Sequence, residues 1–146
     1  MHITALILTF ATFILSATAG PVAIAALSSE LANRGLDELH CCKDNGRGWQ
    51  YAPYAEFQTA YNRFRGPGTI FVPHGCTAVT GCNNGAETLV CNDHQRVAMV
   101  ELSTFAQFFD TVAGQCVSWE TGVPSVCGQA FNNEHRYNLV LKKCNY

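Results

Sequence analysis

The sequence predicts an α+β fold: a two-layer sandwich of the split βαβ type, two helices packed on one small, mainly antiparallel sheet and stapled by disulfides. Three observations carry this prediction. Two stretches repeat aromatic residues at helical spacing, several short β-branched and aromatic runs are bounded by turn residues, and eight cysteines lie beyond residue 40. A helix with one apolar stripe must bury it against a sheet or another helix, and two such helices among short strands favour the sandwich.

The chain opens on MHITALILTFATFILSATA, with an apolar run from Ile3 to Leu15 and then Ser16-Ala17-Thr18-Ala19, the small residues that signal peptidase cleavage needs. The run is shorter than the roughly 20 residues that cross a bilayer. Residues 1–19 are therefore expected to be a secretory leader, the mature protein extracellular, and stable membrane insertion absent. Residues 20–40 contain no cysteine or aromatic residue and read as a flexible arm or pro-segment, with Ser28 or Ser29 capping a short helix that ends at Gly35. Residues 41–146 read as a single disulfide-rich domain, expected to be monomeric. Removing the leader leaves 127 residues, enough for one modest core.

Within that domain, Asp44-Asn45-Gly46 and Arg47-Gly48 mark a turn, and Trp49-Gln50-Tyr51 reads as a brief strand. Pro53 suits a first helical position. Tyr54, Phe57, Tyr61 and Phe64 then form a helical stripe, a core face, that Gly66-Pro67-Gly68 stops. Thr69-Ile70-Phe71-Val72, closed by Pro73, is a strand. Thr88–Cys91 and Arg96–Glu101 read as a hairpin across Asn92-Asp93-His94-Gln95. Thr104-Phe105-Ala106-Gln107 has the form of a capping box, after which Phe105, Phe108, Phe109 and Val112 share one helical face up to Gly114. Tyr137, Leu139 and Leu141 alternate with Asn138, Val140 and Lys142, as a strand with one buried face requires, and Cys144 pins its end.

Cys41, Cys42, Cys76, Cys82, Cys91, Cys116, Cys127 and Cys144 are even in number in a small exported chain, hence a disulfide framework of four bridges. Zinc sites favour cysteine pairs two to four residues apart, whereas the gaps here are zero, five, eight, ten or larger, so no metal is expected. There is no Cys-x-x-Cys for thiol redox chemistry, and no cofactor is expected. Cys41 and Cys42 are adjacent, and a bond between them would distort the intervening peptide, so they are expected to tie the chain to two different places. Spacing does not choose among the 105 connectivities. Gly81 and Asn83-Asn84-Gly85 supply positive-φ positions for a tight loop between Cys76, Cys82 and Cys91.

Nine basic and eleven acidic side chains give a net charge of −2 with no basic stripe, and nucleic acid is not an expected partner. The sequence has no Gly-x-Ser-x-Gly elbow, His-Glu-x-x-His or Gly-rich phosphate loop. Beyond the leader the histidines are His40, His74, His94 and His135, and Glu56, Glu87 and Glu101 are the carboxylates best placed to border a cleft. A secreted hydrolase such as a ribonuclease can be drawn from His74, Glu87 and His135 with Arg65 on a phosphate. That set rests on residue types alone, and no catalytic residue is assigned. Loops held between disulfides lose little entropy on binding, which makes residues 74–86, 44–51 and 132–136 the candidate contact loops. Their foremost residues are His74, Asn83, Asn84, Asn133, His135 and Arg136. The plainer reading of each is a solvated loop residue.

A leader, a cysteine-poor arm, then eight cysteines, Gly/Asn-rich turns and a last strand ending Lys142-Lys143-Cys144-Asn145-Tyr146 resemble the small secreted cysteine-rich proteins of filamentous fungi, many of them effectors against a host plant. The order of helices and strands also resembles the α/β sandwich of virally encoded killer toxins and of effectors that share it. The likeness is one of layout over residues 41–146 and carries no functional residue across. It implies an extracellular virulence-associated protein that binds a host or competitor protein or cell-surface component, acting outside or translocated into host cells. A killer-toxin-like antimicrobial protein is the alternative, and a small secreted hydrolase the second.

Overall fold

The structure, a computed structural model, describes residues 36–45, 47–82 and 84–144. The expected leader, most of the arm, its helix cap at Ser28 or Ser29, and Asn83 lie outside the described residues. The described fold includes residues before 41: Leu36 is buried, and strand β1 spans Glu38–Cys41.

Five strands build the main sheet, all antiparallel, in the order β1, β9 (Gly128–Asn132), β10 (Tyr137–Lys143), β5 (Ala86–Asn92) and β4 (Gly75–Ala78). Two helices follow the aromatic stripes. Helix α3, Leu102–Gln115, buries Phe105, Phe108, Phe109 and Val112, the face that the spacing predicted. Tyr137 stacks on Phe108, with ring centroids 5.8 Å apart, so β10 lies under this helix. Helix α2, Gln58–Phe64, packs on α3 through rings: Tyr61 stacks on Phe109 at 4.7 Å, and Phe64 meets Phe105 at 5.7 Å. A short helix α1, Cys42–Asn45, occupies part of the expected turn.

The class is α+β with small antiparallel sheets, but one sheet under two helices is too simple. A three-stranded sheet orders β2 (Ala52–Pro53), β8 (Ser125–Val126) and β7 (Val117–Ser118), and a two-stranded sheet pairs β3 (Thr69–Val72) with β6 (Ala98–Glu101). Prolines at 53, 73 and 124 deny these short strands further ladder donors.

Other expectations need correction. The 88–101 hairpin does not form: β5 pairs with β10 and β4, while β6 pairs with β3, Phe71 opposite Met99. The cause is Asn92, which a sequence reads as a turn residue but which is buried at the end of β5. Its Nδ2 donates to the carbonyls of Val72 and Arg96, both at 2.8 Å, and its Oδ1 accepts the His94 N–H at 2.9 Å. The side chain thereby sends residues 93–97 across to β3 instead of back along β5. The capping box at Thr104 and Gln107 is also absent. The helix starts at Leu102 directly from β6, with Glu101 at the cap and no side-chain cap bond. The Leu102 N–H is taken by the Gly68 carbonyl at 2.9 Å, which satisfies one of the donors a helix start leaves open. The first half of the expected 53–65 helix is a 3₁₀ turn, Tyr54–Phe57, and Gln50 contributes one bond to Lys143 without forming a strand. Finally, β10 is buried on both faces because it is central: Asn138 accepts from Gln129 Nε2 at 2.8 Å, and Lys142 pairs with Glu87 at 2.6 Å.

All eight cysteines are paired: Cys41–Cys116, Cys42–Cys127, Cys76–Cys91 and Cys82–Cys144. The adjacent pair does diverge, one to the end of α3 and one to the start of β9. In the chain-entropy description, the 15-residue loop contributes about 3 kcal/mol; of the overlapping loops of 75 and 85 residues, either one alone contributes about 4.5 kcal/mol, and the second then adds about 3 kcal/mol. Gly81, Asn84 and Gly85 take positive φ at the expected loop. Four disulfides in a small chain are consistent with an extracellular location.

Candidate functional site

Two loops meet beside β6. The first, residues 93–97, is aimed by the Asn92 side chain. The second is the β9–β10 reversal, where Arg136 takes φ 50° and Asn132 Oδ1 accepts the His135 N–H at 2.6 Å. A backbone bond from the Asp93 N–H to the Arg136 carbonyl, 2.8 Å, locks the loops together. The Asn133 N–H donates to Asp37 Oδ2 at 2.6 Å, tying the reversal to the segment before β1.

Beside the loops and β6 lies an open cleft of about 400 Å³, lined by Ala98, Met99, Val100 and Glu101 of β6, by Thr104 of α3, and by His94, His135 and Tyr137. A second cleft of about 480 Å³ adjoins it at His94 and Ala98 and is lined by Arg96, Val97 and Arg136 among others. His135 lies parallel to and offset from Tyr137, centroids 5.9 Å apart and planes 9° apart. Tyr137 in turn rests on Phe108, so the floor of the cleft is anchored in the core. Burial holds the Tyr137 phenol above its ordinary pKa, and the charges of Asp37 and Glu134 push the same way. Beside the cleft stand exposed apolar residues: Phe71 and Met99, each 68% exposed, and Val97 at 62%. Arg96 and Arg136 make no ion pair among the described residues.

Of the residues singled out from sequence, His135 and Arg136 line the two clefts, and His74 touches the rim by donating from Nδ1 to the His94 carbonyl at 2.9 Å. Asn133 positions the reversal, and Asn84 shapes the turn before β5 without lining either cleft. The set His74, Glu87, His135 and Arg65 is not assembled. Glu87 is held by Lys142 on the main sheet, and the Arg65 guanidinium sits over the Tyr61 ring at 5.5 Å. The carboxylate that shares the cleft with His94 and His135 is Glu101. Tyr137, Met99, Phe71 and Arg96 were not foreseen as site residues. Alternation in β3 and β6 shows which residues share a face, but not that the Phe71 and Met99 face is left open.

Among the described residues, no group of three or more His, Cys, Asp or Glu is placed to hold a metal ion, and no helix is long and apolar enough to cross a membrane. No protein-family model matches the chain, and no curated protein or solved structure matches it.

Proposed function

We propose that this protein is a secreted, cysteine-rich effector that acts by binding a component of another organism's cells in or from the extracellular space, with the β6 cleft as its contact surface. The observation that carries the reading is the exposed pair Phe71 and Met99, opposite each other in the β3–β6 ladder and bordered by Val97. Large apolar side chains grouped in water beside polar groups mark interaction surfaces. A disulfide-held scaffold presents them with little ordering cost. The test compares the wild-type protein with F71S/M99S on plant tissue challenged with chitin. Wild type is expected to lower the oxidative burst, the variant to leave it at the buffer level, and both to unfold at the same denaturant concentration. No effect of wild type, or equal effects of the two, overturns the reading. Inhibition of competing fungi by wild type alone would assign the surface to a killer-toxin-like role instead.

One observation favours a hydrolase as second reading: His94, His135 and Glu101 line one cleft, the pairing of basic and acidic groups that general acid–base cleavage uses. Under it, wild type cleaves RNA and H135A is at least about 100-fold slower. Absence of turnover by wild type removes it.

A further inference from the structure

We propose that the outer edge of β6 binds an extended peptide of the partner as an added antiparallel strand. This inference rests on the recognition reading above and names the chemistry of what is recognised. The cleft is lined by four consecutive residues, Ala98 to Glu101. A groove that touches both parities of a strand runs along its edge, not over one face.

The backbone groups on that edge follow from the register. Opposed residues of an antiparallel ladder alternate between pairs that exchange hydrogen bonds and pairs that do not. The Leu102 N–H bonds to the Gly68 carbonyl, and Ile70 faces Val100 while Phe71 faces Met99. The bonded pairs are therefore Gly68 with Leu102, Ile70 with Val100, and Val72 with Ala98. The Met99 N–H and C=O and the Glu101 N–H point away from β3, into the cleft. β6 has β3 as its single strand partner among the described residues. An open row of donors and acceptors beside a groove is the geometry of strand addition, in which main-chain bonds supply affinity and alternate side chains supply specificity.

Charge selects the occupant. Arg96 and Arg136, which make no ion pair among the described residues, stand at the Ala98 end, and Glu101 is exposed at the other. A peptide antiparallel to β6 brings its C-terminal half to the arginines. The occupant is an extended segment with an acidic residue toward its C-terminal end and apolar residues against Met99 and Tyr137.

The probe is a displayed library of random, cysteine-free linear decapeptides, selected on the oxidised wild-type protein. Selected peptides should carry Asp or Glu in the C-terminal half. A synthetic peptide N-methylated at alternate amides should lose at least 10-fold in affinity in one parity and stay within about twofold in the other, since only one set of amides faces β6. M99P, which removes the outward N–H, should bind at least 10-fold more weakly, M99A within about threefold, and R96Q/R136Q about 3- to 10-fold more weakly with a flatter salt dependence. N-methylation leaves the protein untouched, so the outcome stands even if M99P misfolds. Equal effects of the two parities, or no peptide enriched over a blank surface, overturn strand addition. If F71S/M99S abolishes suppression of the burst while the parities are equal, strand addition alone falls. If F71S/M99S acts as wild type, the recognition reading falls too.

Discussion

The five-stranded sheet and the two-stranded β3–β6 sheet are held by different forces. Every disulfide ends on the large sheet or beside it: Cys41 in β1, Cys76 in β4, Cys91 in β5, Cys127 just before β9 and Cys144 just after β10. None falls in β3, β6 or the loops that wall the cleft. The small sheet relies on buried Val72 and Val100, the Asn92 amide and the Leu102 to Gly68 bond. Covalent closure thus lies where strands from distant parts of the chain must meet. The rim that carries the cleft is left to weaker interactions, whose local opening is cheaper than global unfolding.

Breaking a staple should have the largest effect. C42S/C127S is expected to lose about 3 kcal/mol of unfolding free energy in guanidinium titrations, because with Cys41–Cys116 kept the ring that opens runs through that bridge and spans about 14 residues. A loss below about 1 kcal/mol would show that the large sheet does not depend on its cross-links. On the small sheet, N92A strands two carbonyls and one N–H and is expected to cost about 2–3 kcal/mol. Hydrogen exchange should then quicken in residues 69–72 and 98–101 while β9 and β10 stay protected. Uniform quickening would erase the distinction between the two regions. G128A is expected to cost about 1–3 kcal/mol, since a Cβ there lies 2.7 Å from Cys116 Sγ and 3.0 Å from the His40 carbonyl. Thermal melts of the oxidised protein measure it, and an unchanged melt would mean that the disulfide yields easily.

The smallest effect is one of pH. The folded Tyr137 keeps its proton to higher pH than the unfolded chain, so this contribution is complete below about pH 10 and is lost as pH rises through the folded value. Y137F is expected to flatten that alkaline decline in denaturation midpoints measured between neutral and strongly alkaline pH. An identical decline in both proteins would assign it to other groups, among them Tyr61, whose phenol is raised by its hydrogen bond to Asp110.

What was legible in the sequence was local. The stripe Phe105, Phe108, Phe109 and Val112, the strands around 69–72 and 137–142, and the positive φ of Gly81, Asn84 and Gly85 follow from spacing and backbone chemistry. Strand partners were not legible, because Asn92 looks the same whether it starts a hairpin or bridges two carbonyls. The two-sided burial of β10 was hidden for a similar reason: Asn138 and Lys142 look solvent-facing until Gln129 and Glu87 arrive from distant strands. Of the cleft, His135, Arg136 and Glu101 could be named as candidates. Their meeting with His94 depends on the Asp93 to Arg136 bond, which joins segments more than forty residues apart.

The neighbouring cysteines leave one trap for anyone who refolds this molecule. Exchanging partners, Cys41 with Cys127 and Cys42 with Cys116, yields an isomer of identical mass that closes loops of nearly the same length, so neither a mass spectrum nor loop entropy tells the two apart. What discriminates is the β1–β9 register, which sets Cys41 opposite Gly128, where no side chain blocks the Cys116 sulfur. A bulkier residue at that one position would raise the yield of the wrong isomer, and its signature would appear in peptide maps of non-reduced digests.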